Sequence, residues 1–459
     1  METKVTYKEG VILLIVILLT MGSSIIYWKL PAHIGILAAI CLLVGWMISK
    51  SYTWDDLHEG IISGVTPGII PILLFMLIGA LISMWIACGT IPTIMVYGFS
   101  MVSPRFFLGA VFLLCGVIGA AVGSSFTTIS TVGVAFVGMG SMLGFGLGPV
   151  AGAVVSGAFL GNVLSPLSDT ANLAAATAQV DLFAHLKQVL KTSGLASMMS
   201  FVFFIVIGSH TGNNVQLEEV TQLKATLLTH YSITPVVLLP VLLLFVCAIK
   251  KVPAIPALLL NNLVSIILLK IYHPRLTLPV LGKWLQEGYV SRTGNKMVDH
   301  LLSRGGIQSM MWSVSLILLA LSLGGLLIKT GILDIILQEI EGILTTPMAL
   351  ITLTALTAIG VNLLIGEQYL SIILPGEAYK HRFKHLDIPL VYLSRTLCDA
   401  GSTVNPLVPW GVSAVFITGA LGVPTSNYFP YAIFCYLLPL ITLVSSFSVN
   451  KQFVISERR

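Results

Sequence analysis

The sequence has few charged residues. Only 9% of its 459 residues are Asp, Glu, Lys or Arg, whereas 56% are hydrophobic. A soluble protein carries about 25% charged residues, so this chain could not cover a folded surface with polar groups in water. No polar stretch is long enough to build a separate soluble domain either. We therefore expect most of the chain to be embedded in a lipid bilayer.

Motifs for several other chemistries are also missing. The six cysteines stand singly in apolar stretches, without CxxC spacing, which argues against a disulfide framework or a zinc site. There is no GxxxxGK(S/T) phosphate loop for ATP-driven transport, and no HExxH or GxSxG motif. We therefore expect neither an enzyme nor a resident cofactor. The net charge of +5 comes mainly from loop residues that orient the chain in the membrane, so no nucleic-acid partner is expected.

Long apolar runs recur along the chain, and a run of about 20 residues crosses a bilayer core about 30 Å thick. Hydropathy predicts spans at residues 11–28, 32–49, 68–87, 106–122, 194–209, 233–249, 253–272, 310–328 and 348–365. Residues 388–449 should supply two or three more. The predicted fold is an all-α polytopic membrane protein with about 10–12 transmembrane helices, in two inverted structural repeats with re-entrant hairpins and broken helices.

The chain divides into three predicted parts. Residues 1–210 form an N-terminal membrane half, 211–308 a connector with linking helices, and 309–459 a C-terminal membrane half. Basic residues favour the cytoplasm, and the run 380–384 together with Arg458 and Arg459 predicts a cytoplasmic C-terminus. The lipid bilayer is the first expected partner, and a homodimer is an open alternative to a monomer.

Two regions, 119–180 and 360–411, mix apolar runs with Gly, Ser, Thr and Asn and do not resemble ordinary spans. GSSFTTI (123–129) aligns with GEQYLSI (366–372), and TAN (170–172) aligns with TVN (403–405). Polar interruptions at corresponding positions of two halves point to the binding site of a transporter. The first region also carries glycines at 140, 144, 148 and 152, a four-residue period that is typical of close helix packing.

A proline breaks each polar region. Pro166 and Pro406 remove a backbone donor and clash with the preceding turn. The freed carbonyls must face protein or a water-filled cavity, where they and nearby side-chain oxygens suit a cation such as Na⁺. The predicted cation and proton ligands are Ser168, Asp169, Thr170, Asn172, Asp399, Ser402, Thr403 and Asn405. Within this set, Na⁺ is expected at Asp169, Ser168 and Thr170.

Three acidic residues lie in these otherwise apolar segments: Asp169, Glu367 and Asp399. A carboxylate in the bilayer costs at least about 2.5–3.5 kcal/mol, so a functional role is its default interpretation. A carboxylate that binds either a proton or Na⁺ couples the two fluxes, because one must leave before the other binds. Asp169 is the expected exchange residue. Two alternatives stay open. Asp399 neutralises Arg395, which lies one helical turn before it, or Glu367 lies near the membrane interface and is solvated by water.

Two stretches of the sequence resemble signatures of the NhaC-type Na⁺/H⁺ antiporter family. They are GAVVSGAFLGNVLSPLSDTANLAAATAQVDLFAHL (152–186) and LSRTLCDAGSTVNPLVPWGVSAVFITGALGVP (393–424), and GSSFTT (123–128) also fits. The resemblance implies a Na⁺ and proton centre in the first half with a counterpart around Asp399. It also implies a re-entrant tip, which we take to comprise Ser124, Ser125, Thr127, Thr128 and Glu367. This chain has Asn162 and Cys398 where the family pattern is acidic, and two fewer ionisable groups would weaken proton coupling.

These observations predict a sodium/proton antiporter of the cell membrane that works by alternating access. The alternative is a sodium-linked antiporter or symporter of a small carboxylate or an amino acid, for example malate/lactate exchange, which the resemblance includes. In that case Arg395 would bind the substrate carboxylate. A third reading, a membrane scaffold or channel, fits poorly with two broken, oxygen-rich segments in matching positions.

Overall fold

A computed structural model describes residues 5–101, 104–211, 217–341 and 346–457. These ranges are helical, with short π and 3₁₀ segments and no β-strand. Arg458 and Arg459, which contribute to the predicted cytoplasmic C-terminus, lie outside the described residues.

The α-helices of the first half begin with a pair near the N-terminus and continue to the polar connector. They are α1 (Tyr7–Gly22), α2 (Ala32–Ser49), α3 (Trp54–Val65), α4 (Ile69–Ala87), α5 (Thr90–Met101), α6 (Phe107–Val122), α7 (Ser125–Thr128), α8 (Val134–Met142), α9 (Leu147–Leu164), α10 (Asp169–Thr177), α11 (Leu182–Thr211) and α12 (Leu217–His230).

The remaining helices begin within the connector and continue to the end of the chain. They are α13 (Leu239–Ile249), α14 (Ala254–Tyr272), α15 (Leu278–Glu287), α16 (Lys296–Leu302), α17 (Ile307–Lys329), α18 (Ile332–Glu341), α19 (Pro347–Ile365), α20 (Gln368–His385), α21 (Leu390–Thr396), α22 (Val412–Leu421), α23 (Thr425–Tyr428) and α24 (Ile433–Glu457). π segments Ile129–Gly133 and Leu397–Ser402 lie in the two polar regions.

Within the described residues, ten helices are long and apolar enough to cross a membrane, or up to thirteen if each of three bent pairs is one span. The bent pairs include Leu390–Leu407 with Val412–Leu421, at 46°, and Thr425–Tyr431 with Ile433–Phe447, at 53°. The prediction of an all-α polytopic membrane protein with broken helices is therefore confirmed. The inverted relation of the two halves stays a prediction.

Most predicted spans coincide with a helix. The predicted spans 32–49 and 253–272 correspond to α2 and α14, and 194–209 lies inside the longer α11. The expectation that 119–180 holds no ordinary span is wrong for two stretches, Ser125–Met142 and Leu147–Leu164, which are both long enough to cross. Their low hydropathy has a physical reason: both are almost entirely buried in protein, so small and polar residues replace the lipid-facing apolar ones.

Helix α9 lies at the centre of the fold, with nearly every residue buried. Its glycines face close neighbours: a Cβ at Gly148 would lie 2.3 Å from the Asn427 carbonyl oxygen, and one at Gly157 would lie 2.3 Å from that of Phe112. Gly144 differs, because it occupies a turn with φ of 75° and has open space around it. Gly140 in α8 also packs closely, because a Cβ there would lie 2.5 Å from Val150 Cγ2. The packing interpretation therefore holds for Gly140, Gly148 and Gly152 and fails for Gly144, in the turn between α8 and α9.

Candidate functional site

Two glycine turns of the same shape mark the polar regions. Gly123 ends α6 with φ 76° and ψ 14°, and Gly366 ends α19 with φ 75° and ψ 14°. This left-handed conformation favours glycine. An extended N-cap residue follows each turn: the Ser124 hydroxyl accepts a bond from the Thr127 amide (3.3 Å), and Glu367 Oε2 accepts one from the Leu370 amide (2.8 Å). The alignment of 123–129 with 366–372 thus has a structural counterpart.

The hydroxyls of the first turn mostly satisfy the turn itself. Thr127 Oγ1 contacts Ser124 Oγ at 3.2 Å, and Thr128 Oγ1 donates to the Ser124 carbonyl at 2.9 Å. Ser125 is buried beside them. The turn packs on the break between α9 and α10, since Ser165 Oγ donates to the Ala120 carbonyl at 2.7 Å. The predicted tip residues therefore shape the wall of the first polar centre.

Ser168 and Thr170 form a buried triangle with Asn162 at this break. Their hydroxyls lie 3.0 Å apart, the Asn162 amide donates to Thr170 Oγ1 at 2.9 Å, and Ser168 Oγ donates to Asn162 Oδ1 at 3.1 Å. Asn172 instead donates to the Ser168 carbonyl at 2.6 Å. Asn162, which stands where the family pattern is acidic, is thus a neutral member of the centre, and the sequence reasoning did not include it among the ligands.

The Asp169 carboxylate points away from this triangle. Its Oδ1 accepts a bond from the Thr170 amide at 2.9 Å, in the first turn of α10, and its Oδ2 accepts one from the Tyr369 hydroxyl. The Asp169 residue is exposed. Tyr369 belongs to α20, so this bond joins the break of the first half to the turn of the second. No sequence pattern singles out Tyr369, because 200 residues separate it from its partner.

The second turn places further oxygens near Asp169. Glu367 is 4% exposed and caps the N-terminus of α20, two residues before Tyr369. Gln368 lies between them and is also buried, and its side-chain Oε1 has no hydrogen-bond partner among the described residues. A buried acceptor without a donor is unusual in a folded protein. Two carboxylates therefore lie at the N-termini of α10 and α20, where helix dipoles favour negative charge, and the Gln368 amide lies in the first turn of α20.

In the second half, the predicted ligands do not gather around the Asp399 carboxylate. Ser402 Oγ donates to the Cys398 carbonyl at 2.7 Å, and the Thr403 hydroxyl donates to the backbone carbonyl of Asp399. Asn405 donates to Asn362 Oδ1 at 2.8 Å and to the Gly366 carbonyl at 3.0 Å, and it accepts from the Ser413 amide at 2.7 Å. Asn405 therefore fastens the second break to the second turn.

The Asp399 side chain contacts two other helices. Its Oδ2 accepts bonds from Thr192 of α11 at 2.8 Å and from Thr442 of α24 at 2.5 Å, while its Oδ1 has no partner in the described residues. Arg395 donates to Ser445 at 2.8 Å and forms no ion pair with Asp399 within 4.0 Å. The simple neutralising pair that one-turn spacing suggested is therefore not formed. The only sequence signal for the two threonines is a hydroxyl inside an apolar helix.

The fold and this centre are typical of an ion-coupled secondary transporter: many spans, two broken helices, and acids at the N-termini of α10 and α20. Comparison with known proteins defines the group more narrowly. The model of the Na⁺/H⁺ antiporter family matches residues 157–448. The chain belongs to this family.

Its relatives differ in what their names say they exchange. The chain is 36% identical to the Na⁺/H⁺ antiporter NhaC of Alkalihalophilus pseudofirmus over 464 residues, which cover 100% of both chains. It is 33% identical to the arginine/ornithine antiporter ArcD of Halobacterium salinarum, over 89% of this chain and 84% of the relative. It is 32% identical to the malate-2H⁺/Na⁺-lactate antiporter of Bacillus subtilis, over 93% and 91%.

Proposed function

We propose that this chain exchanges Na⁺ for H⁺ across the cell membrane by alternating access, with Asp169 as the exchange residue. The observation that carries the proposal is the contact of Asp169 with Tyr369, which joins the broken helix of one half to the turn of the other. Two findings support it: the chain belongs to the Na⁺/H⁺ antiporter family, and it is 36% identical over its full length to the NhaC antiporter of Alkalihalophilus pseudofirmus.

The chemistry follows from the oxygens around Asp169. A proton or a Na⁺ ion neutralises the carboxylate, and either must leave before the other binds. We propose that Glu367, at the N-terminus of α20, and Gln368 Oε1, which has no donor among the described residues, supply further oxygens to this centre. In this proposal, the Ser168, Thr170 and Asn162 triangle positions the start of α10, because Ser168 caps that helix.

Alternating access requires the two halves to move relative to each other. The Tyr369 hydroxyl donates a hydrogen bond to Asp169, so an ion that binds this carboxylate competes with a contact between the halves. The ion therefore has different affinities for the arrangement of the halves with this contact and the arrangement without it. A ligand shifts a conformational equilibrium only through such a difference in affinity. We propose that Asp399, held by α11 and α24, is the second polar centre and keeps the other broken helix in place.

Exchange of an organic substrate is the alternative, and relatives named for malate/lactate or arginine/ornithine exchange favour it. In this structure Arg395, the proposed carboxylate partner, is 3% exposed, donates to Ser445 and lies over the ring of Tyr392 at 5.4 Å. A carboxylate would reach it only after a rearrangement. We therefore favour ion exchange without an organic partner. The homodimer and the cytoplasmic C-terminus stay predictions.

Proteoliposomes separate the two functions. With an imposed pH gradient, internal pH is followed after addition of Na⁺ alone, and then with malate, lactate, arginine or ornithine as well. The proposal expects Na⁺ alone to dissipate the gradient, whereas a strict need for an organic compound would overturn it. Asp169→Asn should abolish Na⁺-driven proton movement because the neutral amide cannot exchange a proton for Na⁺. Full activity of that variant would remove Asp169 from the mechanism.

A further inference from the structure

A second feature lies outside the ion site, at the ends of two spanning helices. A cavity of about 490 Å³ opens where α4 ends at Ala87 and α14 ends at Tyr272. The volume is in the range of small-ligand sites. Both helices belong to candidate spans that end at these residues. The cavity therefore lies where the hydrocarbon core of a bilayer gives way to the headgroups.

Four aromatic side chains form the walls of this cavity: Tyr231, Tyr272, Trp284 and Tyr289. The rings of Trp284 and Tyr289 meet edge to face, with centroids 5.0 Å apart. The Tyr272 hydroxyl bonds to Thr234 Oγ1 at 2.9 Å. Tyr and Trp concentrate at the membrane interface, where one end of the side chain is apolar and the other is wet.

Hydrogen bonds away from the cavity hold these walls in place. The Tyr231 hydroxyl donates to Ser291 Oγ at 2.8 Å, which donates to Asp299 Oδ1 at 2.8 Å. The Thr293 amide also donates to Asp299, at 2.7 Å, and it lowers the pKa of that carboxyl from its ordinary value. On the other side, Ser83 Oγ of α4 donates to the Trp284 carbonyl at 2.7 Å. The cavity is therefore a preformed site.

Arg275 places a permanent positive charge at the mouth of the cavity. His230 and His273 also line it, together with the aromatic rings, and no Asp or Glu of the described residues does. The side chains of His273 and Arg275 are exposed and form no hydrogen bond or ion pair within the described residues. Arg binds phosphate through two parallel N–H bonds, and it is free to do so here.

Exposed apolar side chains lie close in sequence to the lining residues. Ile271 and Val290 are adjacent to lining residues and Leu278 is two residues from one, and they are 63%, 57% and 72% exposed. A freely soluble anion would leave this apolar surface uncovered, whereas the acyl chains of a lipid would cover it. Basic pockets between transmembrane helices are known to bind acidic headgroups of lipids.

We propose that this cavity binds the phosphate headgroup of an anionic phospholipid. Arg275 and His273 donate to the phosphate, and the aromatic walls pack against the glycerol and the first methylene groups. A zwitterionic lipid is disfavoured because its ammonium group would meet the basic mouth without an acidic partner. The site is independent of the ion-exchange proposal, since none of its residues belongs to the polar centres.

Thermal unfolding of the purified, delipidated protein in detergent tests the proposal. Dioleoylphosphatidylglycerol should raise the midpoint, whereas dioleoylphosphatidylcholine and soluble glycerol 3-phosphate should not. Arg275→Gln should raise the half-saturating concentration of phosphatidylglycerol about tenfold, the effect of losing one charge-assisted hydrogen bond. His273→Gln should act in the same direction.

Lys283→Gln is the matched control, because Lys283 is an exposed cation on the adjacent α15 that pairs with Glu287 and does not line the cavity. It should leave the titration unchanged. Equal stabilisation by phosphatidylcholine, or a wild-type titration in both the Arg275 and the His273 variant, would overturn the proposal. Stabilisation by glycerol 3-phosphate as strong as by the lipid would overturn the lipid assignment.

Discussion

The contact between α6 and α9 should be the least tolerant of added volume near the ion site. A Cβ on Gly161 would lie 2.4 Å from the Gly116 carbonyl oxygen and 2.5 Å from the Ala120 amide nitrogen. Ordinary contacts of a Cβ begin at 3.4 Å. Both neighbours are backbone atoms, so Gly161→Ala must move the two helices apart by about 1 Å, since no flexible side chain can give way.

The magnitude follows from opposing effects. Overpacking of this kind costs about 1–3 kcal/mol, and the replacement of glycine by alanine in a helix recovers about 1 kcal/mol. We expect a net loss of up to about 2 kcal/mol of unfolding free energy, measured as a lower thermal midpoint in detergent. Transport should suffer more than stability, because α6 carries the Gly123 turn and α9 carries Asn162 and the break before Asp169. A displacement of about 1 Å at a functional centre can cost a hundredfold in rate.

Gly194→Ala on α11 is the control, because a Cβ there would meet nothing within 4 Å. It should keep wild-type transport and be neutral or more stable by up to about 1 kcal/mol. The two variants are compared in the same proteoliposome assay of Na⁺-driven proton movement. If Gly161→Ala matches Gly194→Ala in both rate and midpoint, the close helix contact does not position the site.

Three further predictions concern the hydrogen bonds accepted by Asp169, Asp399 and Asp299. Tyr369→Phe should lower the half-saturating Na⁺ concentration several-fold in the transport assay. In this variant the ion no longer competes with the Tyr369 hydroxyl, which donates a hydrogen bond to Asp169. Thr192→Val should cost about 1–3 kcal/mol of stability, seen in thermal unfolding, because it removes a donor from the buried Asp399 carboxylate. The Asp299 carboxyl has a lowered pKa in the folded loop, so its contribution to loop stability should be present above about pH 4 and lost as the pH falls further. Hydrogen exchange of residues 289–303 would show this loss, and Asp299→Asn should remove the pH dependence.

Controls for these variants come from the same elements. Tyr379→Phe removes a hydroxyl of α20 that contacts Thr357, away from Asp169, and should leave the Na⁺ titration unchanged. Ser193→Ala removes a hydroxyl of α11 that bonds only to the Val189 carbonyl of its own helix, and it should cost less than Thr192→Val. A Na⁺ titration that shifts equally in both tyrosine variants, or equal losses in the α11 variants, would refute the assigned contacts.

The positions of the helices and of their breaks could be predicted because they depend on local sequence. An apolar run of about 20 residues specifies a span whatever lies beside it, and α2 and α14 begin and end close to the predicted limits. Pro166 falls in the break after α9 and Pro406 in the short 3₁₀ segment Asn405–Leu407, where a missing backbone donor disfavours a continuing helix. Proline alone does not decide a break, because Pro375 lies inside α20 and Pro439 inside α24.

Helix assignment failed where composition misled it. The small and polar residues of Ser125–Met142 and Leu147–Leu164 argue against ordinary spans, yet both form helices that are long and apolar enough to cross a membrane. Both are mostly buried in protein, where such residues need not face lipid. Burial of this kind is a property of the assembled bundle.

The sequence by itself determined a membrane protein with two polar breaks and three acids among apolar residues. Only the tertiary structure decided the partners of those acids: Tyr369 for Asp169, and Thr192 and Thr442 for Asp399. The two contacts to Tyr369 and Thr192 span 200 and 207 residues. Local sequence governs how a segment folds, but a hydroxyl in an apolar helix contacts a distant carboxylate only when packing brings the two helices together.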